Sequence, residues 1–496
     1  MANWTNLSNL ISSIQDTMRK DAWVNGDAQR LEQLSWMLFL KLFDDREKEY
    51  REFKWDYQSP IPEELQWRNW AEDDEWLTGD DLIDFVNNKL FPGLKQLKVK
   101  ESIPMTYIIK SIFEDANNYM KSWTIMRQII NKLDNGIDFN DYEDSHVFND
   151  IYEQLLNDLQ SAGNAGEFYT PRAVTQFMVE RVQPKLWQKV MDMACGTGWF
   201  LTWALEYIRE NDVKTAKDEE LLQKSIYGTE LKQLPHILAT TNMILHGIEN
   251  PINIRHGDSL ARPVDDITDR DMTDIILMNP PFGWKIKDGI ESNFPVQFRT
   301  KETANLFMVL IIEVLRDGWK AGVVLPDGFM FSEDNIPVAI KEKLLDECNL
   351  HTIIRLPKSV FAPYASVATN LLFFTKWEPT KETRFYRVDM PEWYKAFSKT
   401  KPIQLKHLDC AKDWWDNRVE IKDEVIEWWT ETWKAKKYTI EEIKKLWYNL
   451  DLCGYPTKAE EPILSPEETA SKFIQRREEL EVQLDEKINQ ILSLMK

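Results

Sequence analysis

Ile275-Ile276-Leu277-Met278-Asn279-Pro280-Pro281-Phe282 is the stretch whose reading decides the fold. Four apolar residues in a row read as a strand buried on both faces, as in a parallel sheet. The two prolines fix φ and remove N–H donors, so the chain leaves the strand through a rigid, extended turn. That turn holds the Asn279 amide and the carbonyls beside it at the rim where open α/β sheets bind ligands. The ring of Phe282, three residues on, can lie flat against a planar group held there. Such a device suits gripping the exocyclic amino group of a base while stacking on its face. A plain strand-ending turn is the alternative, and the company the loop keeps decides between the two.

Outward from this strand, residues 156–376 alternate short apolar runs with helical stretches. Strand candidates are 190–191, 226–227, 252–254, 275–278, 322–325, 351–356 and 371–374, with helices over 198–210, 232–247, 303–318 and 336–348. The alternation predicts a doubly wound α/β sheet, its last two strands joined by a turn at Pro363 into an antiparallel edge. Residues 1–155 read as a helical domain. Leu7, Leu10, Ile11, Ile14 and Met18 share one face, and Leu31, Leu34, Met37, Leu38 and Leu42 continue the pattern. Helical periodicity returns at 107–113 and 152–159, whereas 55–76, rich in Pro, Trp and acids, reads as loops and short helices. Residues 377–465 form a Trp-rich acidic region and linker. Its pairs Trp414-Trp415 and Trp428-Trp429 suit buried packing at least as well as an interface. In 466–496, Phe473, Leu480, Leu484, Ile488, Ile491 and Met495 recur at 7, 4, 4, 3 and 4, a near-heptad stripe for a helical contact.

Composition narrows the function classes. A chain of 496 residues exceeds one hydrophobic core, and 43% hydrophobic with 29% charged residues is ordinary for a globular protein. No apolar run reaches the length of a membrane span, and the N-terminus lacks a signal-peptide pattern. Four scattered cysteines and six histidines show no metal or redox spacing, so a metal-free cytoplasmic protein is expected. The net charge of −21 is unlike that of a protein gripping a polyanion alone. If nucleic acid is the substrate, a basic partner shares the grip. The clusters 434–437 and Arg476-Arg477 sit amid acids and read as solvated faces.

Polar groups stand at four strand ends in order. Asp192 and the loop Gly196-Thr197-Gly198 follow the first; Leu201 stands where a dinucleotide fingerprint would place its third glycine. The loop therefore fits a nucleoside carrying an amino acid better than a pyrophosphate, and Asp192 can receive that ligand's ammonium directly or through water. Glu230 ends the second strand, where a carboxylate clamps both ribose hydroxyls. It lies 32 residues past Gly198 rather than roughly 20, and the charged insert 211–224 accounts for the excess. Asp258 follows the third strand, placed to meet an adenine amino group or to cap a turn. Upstream, Thr170 and Pro171 make an ordinary helix start as N-cap and first residue. That leaves Glu167, Phe168 and Tyr169 unexplained unless they cover the pocket.

These three motifs resemble those of amino-group DNA methyltransferases that use S-adenosylmethionine. The Glu167-Phe168-Tyr169-Thr170-Pro171-Arg172 run and the helical N-terminal segment more closely resemble the modification (M) subunit of type I restriction-modification systems. Residues 34–45 and Asn449-Leu450-Asp451-Leu452-Cys453-Gly454-Tyr455-Pro456 fit the same family, and the similarity spans roughly residues 5–375. It implies a Rossmann-like methyltransferase domain and adenine N6 methylation of DNA. It places cofactor contacts on 167–172, on Thr197, Gly198 and Trp199, and on Glu230. Asn279 and the Pro280 carbonyl would grip the amino group, Pro281 would stiffen the loop and Phe282 would stack on the extruded base. Partners implied are DNA, a specificity (S) subunit docked on the tail helix, a second copy of the chain and a restriction (R) subunit. Cys195 and Trp199 depart from the usual glycine loop. Rival readings are methylation of cytosine N4, RNA or protein glutamine, and an idle scaffold; Asn rather than Ser at 279 favours adenine.

Overall fold

The computed structural model describes residues 2–73, 77–137, 139, 170–362, 367–392, 394–398, 401–423, 432–454 and 477. The expected helix at 152–159, Glu167, Phe168 and Tyr169, the turn at Pro363, Trp428-Trp429 and the tail helix lie outside them.

All seven expected strands form, within one ten-stranded sheet. In chain order they are β1 Val190–Asp192, β2 Ile226–Glu230, β3 Ile254–His256, β4 Thr273–Met278, β5 Leu315–Pro326, β6 Cys348–Arg355 and β7 Thr369–Lys376. Three more follow, β8 Glu382–Arg387, β9 Ile421–Lys422 and β10 Trp433–Thr439. The spatial order is β3-β2-β1-β4-β5-β7-β6-β8-β10-β9. The first five strands run parallel and β7 is antiparallel to both β5 and β6. The expected antiparallel pair is therefore present, and the sheet continues past it through β8, β10 and β9. Strand order reverses between β1 and β4, which makes the crevice above their carboxyl ends the topological switch point.

The sheet is buried on both faces, as the run 275–278 requires. Ile275 and Leu277 pack into one core with α5 (Arg172–Val182) and α6 (Trp199–Asp212). Ile276 and Met278 pack into the other with α8 (Thr303–Val314) and α9 (Asn335–Glu347). The third strand begins two residues later than expected. Pro251 turns the chain, its carbonyl accepting from the Ile254 N–H at 3.0 Å, and this leaves Ile252 exposed.

The N-terminal helices α1 (Ala2–Met18), α2 (Gly26–Phe53), α3 (Met105–Glu114) and α4 (Trp123–Gly136) enclose a third core. α2 runs through its middle, with Trp36, Met37, Phe39, Leu40 and Leu42 all buried around its girth. Lys41 is buried with them and pairs with Asp45 at 2.9 Å and Asp134 at 3.5 Å. α7 (Gln233–Leu245) joins the two regions. Ile237, Leu238, Ile244 and Leu245 pack into the N-terminal core, whereas Ala239 and Met243 pack under the sheet. The Gln233 amide donates to the Ser111 carbonyl at 3.0 Å across this seam.

Trp414, on α10 (Asp409–Asn417), is core. It stacks on Tyr386 at 4.7 Å and its indole N–H donates to the Val419 carbonyl at 2.8 Å. Asp451 pairs with Arg355, which also holds Asp327 at 2.5 Å just past β5. No helix among the described residues is long and apolar enough to cross a membrane.

Candidate active site

The ends of β1, β2, β3 and β4 surround a cavity of about 300 Å³, at the lower end of the range for ligand pockets. Gly196, Glu230, Asp258, Asn279 and Pro281, all singled out in the sequence, line it.

The turn after β1 is built around its glycines. Gly198 has φ +86°, a left-handed conformation strained for any residue with a Cβ, and it starts α6. The Gly196 N–H donates to Glu230 Oε2 at 2.9 Å, and the Lys232 N–H donates to Oε1 at 2.8 Å. Glu230 thus ties the glycine turn to the end of β2. Asp258 Oδ1 accepts from the Leu260 N–H at 2.9 Å, so it serves its own turn while lining the cavity. The neighbouring Ser259 hydroxyl donates to the Met193 carbonyl at 2.6 Å and fixes this turn to the glycine loop.

Asp192 lies behind the cavity wall, 2% exposed, with Oδ1 accepting from the Ala194 N–H at 3.0 Å. Burial pushes its carboxyl up to about 8; the Ala194 bond opposes that rise and the nearby Glu230 charge adds to it. Both departures in the glycine loop point away from the cavity. Cys195 is buried against Gly228, where an added Cβ would stand 3.0 Å from its sulfur, and burial holds the thiol well above its ordinary range. Trp199 packs toward the N-terminal core, with the Arg172 guanidinium 4.4 Å from its ring centre. Thr197 is buried, its carbonyl accepting from the Asn242 amide at 3.2 Å.

Asn279 stands at the end of β4 and borders the cavity. Its Nδ2 donates to Thr170 Oγ1 at 2.9 Å, and its Oδ1 is buried with no hydrogen-bond partner. A buried acceptor costs roughly 1–3 kcal/mol when left unpaired, so this oxygen is open to a donor brought by water or by a ligand. Thr170 is not the helix N-cap the sequence suggested. Pro171 occupies that position, its carbonyl accepting from the Val174 N–H at 2.8 Å, which leaves the Thr170 hydroxyl for Asn279. Phe282, 5% exposed, faces a second cavity of about 680 Å³ with Asn305, Pro326, Phe329 and Asp334. The loop 279–282 is a partition between two chambers. Asn279 and Pro281 border one, Phe282 the other.

Sequence reasoning missed part of the wall: Leu231, Lys232, Trp284, Ile286 and Phe307. The Lys232 ammonium lies 4.3 Å from the centre of the Trp284 ring, and the Thr303 hydroxyl donates to the Trp284 carbonyl at 2.8 Å. Adjacency was the available signal. Lys232 is two residues past Glu230, and Trp284 two past Phe282.

Comparison with known proteins agrees with this geometry. The N-6 DNA Methylase family model matches residues 143–462, and the HsdM N-terminal domain model matches residues 7–133. The chain is 50% identical to the type I restriction enzyme EcoEI methylase subunit of Escherichia coli, over 96% of this chain and 95% of that one. A modification subunit of a putative type I restriction enzyme from Vibrio vulnificus superposes with a TM-score of 0.77 at 39% identity, covering 89% of this chain and 93% of the other. A chain from a study of complex assembly and conformational transition in a type I restriction-modification system also superposes at 0.77. There the identity is 32%, with 99% of both chains covered. With the N-terminal helices, the 3-2-1-4-5-7-6 strand order and the Asn-Pro-Pro-Phe partition all in place, the chain belongs to the N-6 DNA methylases, as a methylase subunit of the type I restriction enzymes.

Proposed function

We propose that this chain methylates the N6 amino group of adenine in DNA, using S-adenosylmethionine, within a complex whose separate specificity subunit reads the sequence. The observation that carries the reading is the unpartnered, buried Oδ1 of Asn279 at the wall between two chambers. The residues around the smaller chamber suit the cofactor. Glu230 offers two acceptor oxygens for a diol, Asp258 an acceptor for an amino group, and the Gly196 turn a close backbone approach. When bound, S-adenosylmethionine supplies a methyl group activated by its sulfonium.

The rest of the chemistry belongs to the chain. Asn279 Oδ1 accepts a hydrogen bond from an N–H of the target amino group and draws that group's lone pair out of conjugation with the ring. The same oxygen then stabilises the positive charge that develops on that nitrogen. Pro280 and Pro281 hold the acceptor in place, so orientation is set in advance. The second chamber, with Phe282 and Phe329 at its edge, receives the extruded base and offsets part of the few kcal/mol that unstacking costs.

A net charge of −21 leaves this chain poorly suited to gripping DNA alone. That deficit supports assembly with a DNA-reading specificity subunit and a second copy of the chain, to which a restriction subunit can add. In the complex reconstituted with its specificity subunit, Asn279→Ala is expected to abolish methylation while leaving cofactor affinity within about twofold. Methylation at the wild-type rate would overturn the assignment.

A further inference from the structure

We infer that Thr170 is a positioning residue for the methyl-transfer step: its hydroxyl accepts from the Asn279 NH2 and fixes in place the side chain whose oxygen meets the reacting amino group. The inference rests on the proposed function and adds a role beyond cofactor contact. An asparagine side chain presents an acceptor on one side and two donors on the other, and a hydroxyl partner can serve either side, so the bond fixes the position of the side chain rather than choosing its face. In a buried site the face turned away from the ligand must itself be satisfied, or the useful orientation is penalised. Here the Asn279 NH2 finds that partner in Thr170 Oγ1 at 2.9 Å, and Oδ1 is left free. The two residues are 109 positions apart in sequence, so only the tertiary fold makes the pair.

Thr170 is itself held in place. Pro171 fixes the backbone on its C-terminal side, and its carbonyl accepts from the Val174 and Thr175 N–H groups at 2.8 and 3.1 Å. Next along the chain, Arg172 lies over the Trp199 ring at 4.4 Å, and Trp199 packs on the N-terminal core. The backbone beside Thr170 is therefore tied to the start of α5 and, through Arg172, to the start of α6. Thr170 is not among the described residues that line the cofactor cavity. This separates the inference from a cofactor-binding role.

The test compares Thr170→Val, which keeps the shape and removes the hydroxyl, with Thr170→Ser, which keeps the hydroxyl. Both are made in the full chain assembled with its specificity subunit, and Asn279→Ala is made alone and combined with Thr170→Val. Thr170→Val is expected to lower kcat about ten- to a hundredfold, the effect of one unsatisfied buried group, with S-adenosylmethionine affinity within about twofold. Thr170→Ser should restore kcat to within about threefold of wild type. In the Asn279→Ala background, Thr170→Val should have no further effect on any residual rate. Weakened cofactor binding with kcat preserved at saturation would overturn the inference in favour of a cofactor contact. Equal loss in the Ser and Val variants would overturn it in favour of packing alone. A fully active Asn279→Ala would instead bring down the underlying reading of the site, a result that the Thr170 variants cannot mimic.

Discussion

Replacing Glu230 by Gln probes the cofactor chamber most sharply, because the carboxylate has two jobs. It accepts the Gly196 N–H at 2.9 Å through one oxygen and the Lys232 N–H at 2.8 Å through the other. Gln has one acceptor oxygen, so one of these N–H groups meets an NH2 instead. Hydrogen bonds to charged groups are worth about 1.5–3 kcal/mol, so the ligand-free chain should lose roughly 2–3 kcal/mol, by opening of the glycine turn or of the β2 end. On binding, the variant also forfeits charged acceptors for the ribose hydroxyls. Two such bonds weakened by about 1–2 kcal/mol each predict an affinity loss of about 30- to 1,000-fold. Isothermal calorimetry with S-adenosylmethionine reads the second effect, and denaturant unfolding of the ligand-free chain reads the first. Affinity retained within about threefold would refute the clamp. Affinity lost with no change in stability would refute the structural half, since the two N–H bonds would then contribute nothing.

Other expectations follow from buried charge and close packing. The Asp192 carboxyl is pushed up to about 8, so a cationic ligand that favours its ionised form should bind more tightly as pH rises from 6 to 8, by at most about tenfold per unit; Asp192→Asn should flatten that profile. The same shift makes stability greatest below the unfolded value near 4. It is lost as pH rises toward 8, by on the order of 1 kcal/mol per unit, a slope that Asp192→Asn should remove in pH-dependent unfolding. Lys41→Ala leaves Asp45 and Asp134 without their shared buried cation and should cost about 3–5 kcal/mol in denaturant unfolding; a loss under about 1 kcal/mol would show that water reaches the site. Gly228→Ala puts a methyl 2.8 Å from Leu201 and 3.0 Å from the Cys195 sulfur. It should destabilise by about 1–3 kcal/mol, with partial recovery when Cys195→Ala is added.

Where the sequence spoke clearly, the physics was local. A strand buried on both faces must be apolar throughout, so 275–278 announced β4, and two prolines at its end announced the loop that carries Asn279. Strands β8 and β10 lacked such a signal. In Trp433–Thr439 only Ala435 is buried, Lys434, Lys436, Lys437 and Thr439 are polar or basic, and two of the lysines serve ion pairs, Lys434 with Asp389 and Lys437 with Glu382. A lysine-rich strand near a sheet edge reads as a solvated face because one side of it is solvated. α2 was legible as a helix but not as a central one. Its Lys41, Asp44 and Asp45 look like a polar face in sequence, yet they are buried, Lys41 and Asp45 against each other and the group against Asp134 and Arg68, which are distant along the chain.

The site divides in the same way. Residues tied to a strand end, Glu230, Asp258 and Asn279, could be placed from the chain alone because the fold puts every such position on one rim. Thr170 was read through its neighbours, as a cap before Pro171, and its contact with Asn279 depends on a pairing 109 residues apart. Trp284 and Lys232 meet through a cation–π contact whose geometry no local pattern encodes.

The most direct test of the central claim is to identify the base that receives the methyl group. DNA methylated by the chain and its specificity subunit, with S-adenosylmethionine labelled on the methyl, would be digested to nucleosides and resolved by mass spectrometry. The account predicts label in N6-methyladenine and none when Asn279→Ala replaces the wild-type chain. Label in N4-methylcytosine, or undiminished label with the variant, would contradict it.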